Sequence, residues 1–109
     1  MESKEIYESN KTNSFKIKWN RIPKTETEWE FFDITKPENM MNIINDFFSD
    51  DILHIYIGRK DSYSVEKSKL YDKIKYILSQ RDFMIWNENF TMAIELNELG
   101  AYRTGKIGF

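Results

Sequence analysis

From Ser14 to Ile22 apolar and polar side chains alternate. Phe15, Ile17 and Trp19 fall on one side, and Lys16, Lys18 and Asn20 on the other. A period of two is that of a half-buried strand. Pro23 to Thr27 reads as a turn, because Pro cannot donate to a ladder and polar residues follow it. Alternation resumes from Glu28 to Ile34, with Trp29 and Phe31 opposite Glu28 and Glu30, which predicts a hairpin. Thr35 and Glu38 stand at capping-box spacing, and Pro37 suits a first helical turn where its missing N–H costs nothing. Two helix starts compete there, since the residue before Pro resists helical dihedrals. Met40, Met41, Ile44, Phe47 and Phe48 then recur at helical spacing and form one apolar stripe, which Ser49-Asp50-Asp51 interrupts.

Ile52 to Gly58 is apolar on both faces, as expected of a central strand. Ser62 or Ser64 is placed to cap a second helix that runs to Gln80, with Tyr63, Leu70, Ile74, Ile77 and Leu78 as its inner stripe. Phe83–Trp86 and Met92–Leu96 read as strands joined through Asn87-Glu88-Asn89. Asn97 to Gly100 makes a turn, and Ala101–Ile107 adds a last strand. The expected order is β-β-α-β-α-β-β-β. This is an α+β fold with a single layer of about five to six mixed or antiparallel strands and two helices. Residues 1–13 are polar and read as a flexible N-terminal segment, leaving 14–109 as a single α+β domain.

Composition agrees with one folded unit. The chain has 109 residues, 40% hydrophobic and 16% aromatic, enough for one core and too few for two. Its net charge of −2 implies no bulk attraction to nucleic acid or to an anionic membrane. The signs are partly segregated: Lys11, Lys16, Lys18, Arg21 and Lys24 precede Glu26, Glu28, Glu30 and Asp33, a pattern common on solvated faces. The absence of cysteine removes disulfides, thiol catalysis and thiolate metal sites together. The polar start lacks the apolar run of a signal peptide, and no stretch approaches the roughly 20 apolar residues that span a bilayer. The expectation is a cytoplasmic protein that does not associate with membranes.

Few residues carry chemistry. His54, the single histidine, lies inside the most hydrophobic strand, where it lacks the partners of a metal site or a nucleophile–base pair. Glu28 with Glu30, and Asp50 with Asp51, read as solvated like charges, and Asp46, Asp50 and Asp51 do not match a calcium loop. The four glycines form no phosphate-cradling loop. Lys16, Lys18 and Arg21 beside Phe15 and Trp19 are a weak sign of nucleic-acid binding, because alternation puts the rings on the face away from the lysines. The expectation is no enzyme, no metal and no cofactor. Trp29, Trp86 and Tyr102 stand among carboxylates, a mixture suited to gripping a basic macromolecule.

The end of the chain carries a resemblance. Phe83-Met84-Ile85-Trp86, Asn89-Phe90, Met92-Ala93-Ile94-Glu95-Leu96-Asn97 and Leu99-Gly100-Ala101-Tyr102-Arg103-Thr104-Gly105 together resemble segments of small bacterial immunity proteins. These are the proteins encoded beside polymorphic or contact-dependent growth inhibition toxins. The resemblance covers about a quarter of the chain. It implies a non-catalytic antitoxin that binds one toxin domain, often a nuclease, tightly and directly. The modest net charge departs from the strongly acidic surfaces of many nuclease inhibitors. The partner-binding residues expected on this basis are Glu26, Glu28, Glu30, Asp33, Asp50, Asp51, Glu88 and Glu98 as electrostatic contacts, with Trp86 and Tyr102 as anchors. The alternative is a phage- or plasmid-encoded regulator that binds a host protein or nucleic acid.

Overall fold

The computed structural model describes residues 1–108. Among them three α-helices and a seven-stranded sheet build an α+β fold. In chain order the elements are α1 (Ser3–Asn13), β1 (Ile17–Trp19), β2 (Glu30–Phe31), α2 (Asn39–Phe47), β3 (Ile52–Tyr56), β4 (Tyr63–Glu66), α3 (Leu70–Ile74), β5 (Phe83–Trp86), β6 (Met92–Leu96) and β7 (Ala101–Ile107). The strand order is β1-β7-β6-β5-β3-β4, with β2 also on β7, and every pairing is antiparallel.

The register divides the sheet into rows that belong to opposite faces. Ile55, Ile85, Ile94 and Thr104 lie side by side across β3, β5, β6 and β7. This row and its equivalents meet Met40, Ile44 and Phe48 of the α2 stripe and Leu70, Ile74 and Leu78 from the α3 region, forming the main core. The other face carries the rows His54–Trp86–Ala93–Gly105 and Tyr56–Met84–Glu95–Arg103. Helix α1 covers part of it and supplies the fully buried Ile6 to a smaller core with Ile17, Met84, Trp86, Phe90 and Ala93.

Four sequence expectations change. Residues 1–13 were expected to be loose, yet they form a helix. Its first turn is closed by Glu5, which accepts the Glu2 backbone N–H at 3.2 Å, and Lys11 sits in its last turn, where the dipole favours a cation. Ser3 ties the helix to the sheet by donating to the Arg59 carbonyl at 2.6 Å and accepting from Ser62 N–H at 2.9 Å. Secondly, β1 and β2 make no hairpin: both pair with β7, one after the other along its edge.

The third change concerns residues 62–66, expected to open the second helix. Tyr63–Glu66 instead form edge strand β4, because Tyr63 and Val65 alternate with Ser64 and Glu66 and pair with the free side of β3. The helix starts only after the 3-10 turn Lys67–Lys69. Fourthly, Thr35 does not cap α2. It donates its N–H and hydroxyl to Asp33 Oδ1 at 2.9 and 2.6 Å, a local turn upstream of the helix.

Candidate partner-binding face and groove

The expected carboxylates fall at opposite ends of the sheet. Asp50, Asp51 and Glu88 lie where β3 starts and β5 ends; Asp50 Oδ2 accepts the Glu88 N–H at 3.1 Å. Asp51 borders a depression of about 490 Å³ between α2 and the β3–β4 edge, where Glu66 and Lys67 also lie. Glu98 lies at the other end, in the β6–β7 turn, and Glu30 and Asp33 lie beside it because β2 pairs with the start of β7. Glu26 is exposed in the loop leading to β2. One acidic face of eight residues is therefore not formed; two separate groups are.

Trp86 and Tyr102 are not surface anchors. Trp86 is 0% exposed, and its indole N–H donates to Asn10 Oδ1 on α1 at 2.9 Å. Tyr102 is 8% exposed and belongs to the main core, with its hydroxyl donating to Glu30 Oε2 at 2.7 Å. Burial and then the Glu30 carboxylate raise its pKa above that of an ordinary phenol. Both rings project from paired strands onto covered sheet faces, which alternation alone could not reveal. Among the large apolar side chains left in solvent, which also include Met1, Phe15 and Tyr76, are Phe31 (77% exposed), Ile34 (55%) and Leu99 (78%). The backbone brings these last three to one end of the sheet. Phe31 pairs with Ala101, Phe32 N–H donates to the Gly100 carbonyl at 3.0 Å, and Ile34 packs so closely on Gly100 that an added Cβ would lie 2.7 Å from its methyl. Gly100 also has φ +84, a conformation that suits glycine.

Three exposed carboxylates accompany these residues: Asp33 precedes Ile34 and Glu98 precedes Leu99 in the chain, and Asp82 is bonded to Glu98. Asp82 Oδ1 accepts the Glu98 N–H at 2.9 Å, joining the two loops. Asp33 is held below the usual carboxylate range by its bonds from the Thr35 hydroxyl and N–H. The signal for this patch was present in the sequence as Phe31-Phe32. Successive residues of an extended segment point to opposite faces, and with Glu30 paired to Tyr102 it is Phe32, just after β2, that turns inward, its ring 6.5 Å from that of Tyr102.

The same end of the molecule opens into a groove of about 460 Å³ on the α1 face. Its floor is the row Tyr56–Met84–Glu95–Arg103. Asn10 of α1 forms one wall, Trp19 of β1 the other, and the exposed Phe15 the lip. The groove lies where the chain, on leaving α1, passes through the 3-10 turn Ser14–Lys16 and enters the sheet as edge strand β1. Asp82, which lines the groove, is bonded to Glu98 beside Leu99, so one residue links the groove to the loop that carries part of the apolar patch.

Arg103 organises this region. Its Nε donates to Glu95 Oε1 at 2.7 Å and its Nη1 to Glu28 Oε1 at 3.1 Å. The guanidinium carbon lies 4.1 Å from the Trp19 ring centroid and 4.7 Å from that of Trp29. The side chains of Arg103, Glu95 and Glu28 are 22%, 31% and 33% exposed, so the cluster is screened from water without being dry. Glu28, expected as a free contact, is thus committed to an internal pair. Arg103, Glu95, Trp19 and Asp82 were not among the expected site residues. Their signal is positional, since residues 84, 95 and 103 become neighbours only once three strands are in register.

His54 is enclosed. The Glu88 carbonyl can only accept, so Nε2 carries the proton and donates to it at 3.0 Å, while the Ser64 hydroxyl donates to Nδ1 at 2.7 Å. The ring stacks on Phe90 at 4.7 Å between centroids and an angle of 7°. Burial lowers its pKa, partly opposed by the Glu88 carbonyl and the Glu88 and Asp50 carboxylates. The role this supports is positional: His54 holds the 87–91 turn, in which Phe90 adopts φ 57 and the Asn87 carboxamide accepts from Thr91 N–H and Met92 N–H. Among the described residues no group of three or more His, Cys, Asp or Glu side chains is placed to hold a metal ion. Among the same residues no helix is long and apolar enough to cross a membrane.

No family model, curated protein or solved structure matches this chain.

Proposed function

We infer that the protein is an immunity protein that neutralises a cognate toxin domain, of the nuclease kind, by tight direct binding through the end of the sheet that carries Phe31, Ile34 and Leu99. The observation that carries the reading is this exposed apolar group, with Asp33 and Glu98 next to Ile34 and Leu99 in the chain and Asp82 bonded to Glu98. An apolar centre with an anionic rim suits a partner with a basic surface: the rim speeds encounter and the centre slows release. The likeness of the last three strands to immunity proteins supplies the partner class, and nuclease domains present the basic substrate groove that such a rim would meet.

The test is co-expression with the polypeptide encoded by the adjacent open reading frame, followed by size-exclusion chromatography and a growth assay. A co-eluting complex and restored growth are expected, with an interface of roughly 800 Å² per partner. Phe31→Ser should raise the dissociation rate at least tenfold, a loss of about 1.4 kcal/mol. Glu98→Lys should slow association most at low salt. Absence of both complex and growth rescue would remove the reading. A complex indifferent to both substitutions would move the interface elsewhere.

A further inference from the structure

The groove has a lining distinct from that of the apolar patch. Its floor and mouth carry two carboxylates, Glu95 and Asp82, and one cation, Arg103, which is already shared between Glu95 and Glu28. Counting Glu28, three carboxylates face one guanidinium, so the site keeps an anionic excess. Glu95 gives only Oε1 to Arg103, and Asp82 gives only Oδ1 to the Glu98 N–H, so each leaves one oxygen for an incoming donor. Rings and a thioether, Tyr56, Trp19, Phe15 and Met84, share the rest of the lining with Ile57 and the neutral polar side chains of Asn10 and Ser14. Aromatic walls with carboxylates at the base suit a cation with apolar flanks, and a guanidinium fits best because it can stack and donate in its plane at once. Arg103 already displays that chemistry, lying between Trp19 and Trp29 with carboxylates at its edge.

We propose that this groove is a receptor for an arginine side chain presented by the protein partner. The inference rests on the proposed function only for the source of the arginine; the chemistry of the groove stands apart from it. A volume of about 460 Å³ falls within the range of small-ligand sites, roughly 300–1,000 Å³. Asp82 both lines the groove and bonds Glu98 next to Leu99, so a surface docked over Leu99 brings its side chains within reach of the groove.

The isolated protein tests this with N-acetyl-arginine amide as probe and N-acetyl-citrulline amide as its neutral counterpart. Indole N–H resonances of Trp19 and Trp29 are followed by NMR. Saturable shifts with a dissociation constant on the order of 1 mM are expected for the arginine probe, weakened severalfold by salt, with none for citrulline. Asp82→Asn keeps an acceptor for the Glu98 N–H and should weaken the probe severalfold without unfolding the chain. Phe15→Ser, at an exposed lip, should do the same, and Glu95→Gln should abolish binding. Equal shifts with citrulline, or shifts absent at both indoles, would overturn the groove assignment while leaving docking through Phe31 intact. Probe binding together with failure to complex the adjacent gene product would instead reject the partner class and keep the groove. Patch and groove therefore fail separately.

Discussion

The two faces of the sheet were built from the same strands but to different ends. Towards α2 and α3, the row Ile55–Ile85–Ile94 presents only aliphatic groups, and three fully buried side chains of the α2 region, Met40, Ile44 and Phe48, close over it. Towards α1, the neighbouring row Tyr56–Met84–Glu95–Arg103 ends in an ion pair. Apolar rows lose nothing by being sealed, so that face is covered. A carboxylate–guanidinium pair loses hydration on burial and regains it only with good geometry, so the second face stays partly open where the pair lies. Burial provides the stability on one face; the second gives up some of that burial and keeps a groove.

The comparison predicts unequal responses to equal substitutions. Ile44→Ala and Ile6→Ala each truncate a fully buried isoleucine, and each should cost about 2–5 kcal/mol at its own site. For Ile44→Ala the loss should appear in global chemical denaturation, with amide protection falling across β3, β5 and β6. For Ile6→Ala it should appear as rapid hydrogen exchange confined to α1, which is tied down mainly by Ile6, Ser3 and Asn10. Matching exchange profiles in the two variants would erase the distinction between the faces.

Gly105→Ala should come next, at about 1–3 kcal/mol, because a Cβ there would lie 2.5 Å from the Ile17 methyl and 2.7 Å from the Lys18 carbonyl oxygen. The backbone contact cannot give way by rotation, so β1 must move and Trp19 with it. Thermal unfolding together with Trp19 indole shifts would check this; an unaltered Trp19 resonance would mean that the groove wall does not depend on β1.

The smallest effect concerns His54. Burial favours its neutral form, so between the unfolded value, about 6.5, and the lowered folded value the unfolded chain binds a proton that the folded chain refuses. Stability is therefore complete above that window and declines as pH falls into it. Urea midpoints measured from pH 7.5 to 5.5 should decline in the wild type and stay level in His54→Gln. The same slope in both would assign the decline to other groups.

Legibility in the sequence followed the density of apolar side chains. Strands β5, β6 and β7 and the α2 stripe were readable because alternation or helical spacing repeats there without interruption. Helix α1 was hidden, since Ile6 is its one buried residue and its capping signal, Glu2 with Glu5, lies in a polar run. Strand β4 carries period-two spacing in Tyr63-Ser64-Val65-Glu66, but the serines also suit a helix start, and only the free edge of β3 decides between the two.

Local chemistry, then, determined the class of the fold, its central strands and the presence of acidic and aromatic residues near the chain's end, because side-chain period and turn propensity act over a few neighbours. Tertiary pairing decided which of those residues meet. It buried Trp86 and Tyr102, exposed Phe31 and Leu99, divided the carboxylates between two ends, and set Glu95 beside Arg103. The reason is register: a side chain's face and neighbours depend on which strand it pairs with, and that choice is made by contacts between residues far apart in the chain.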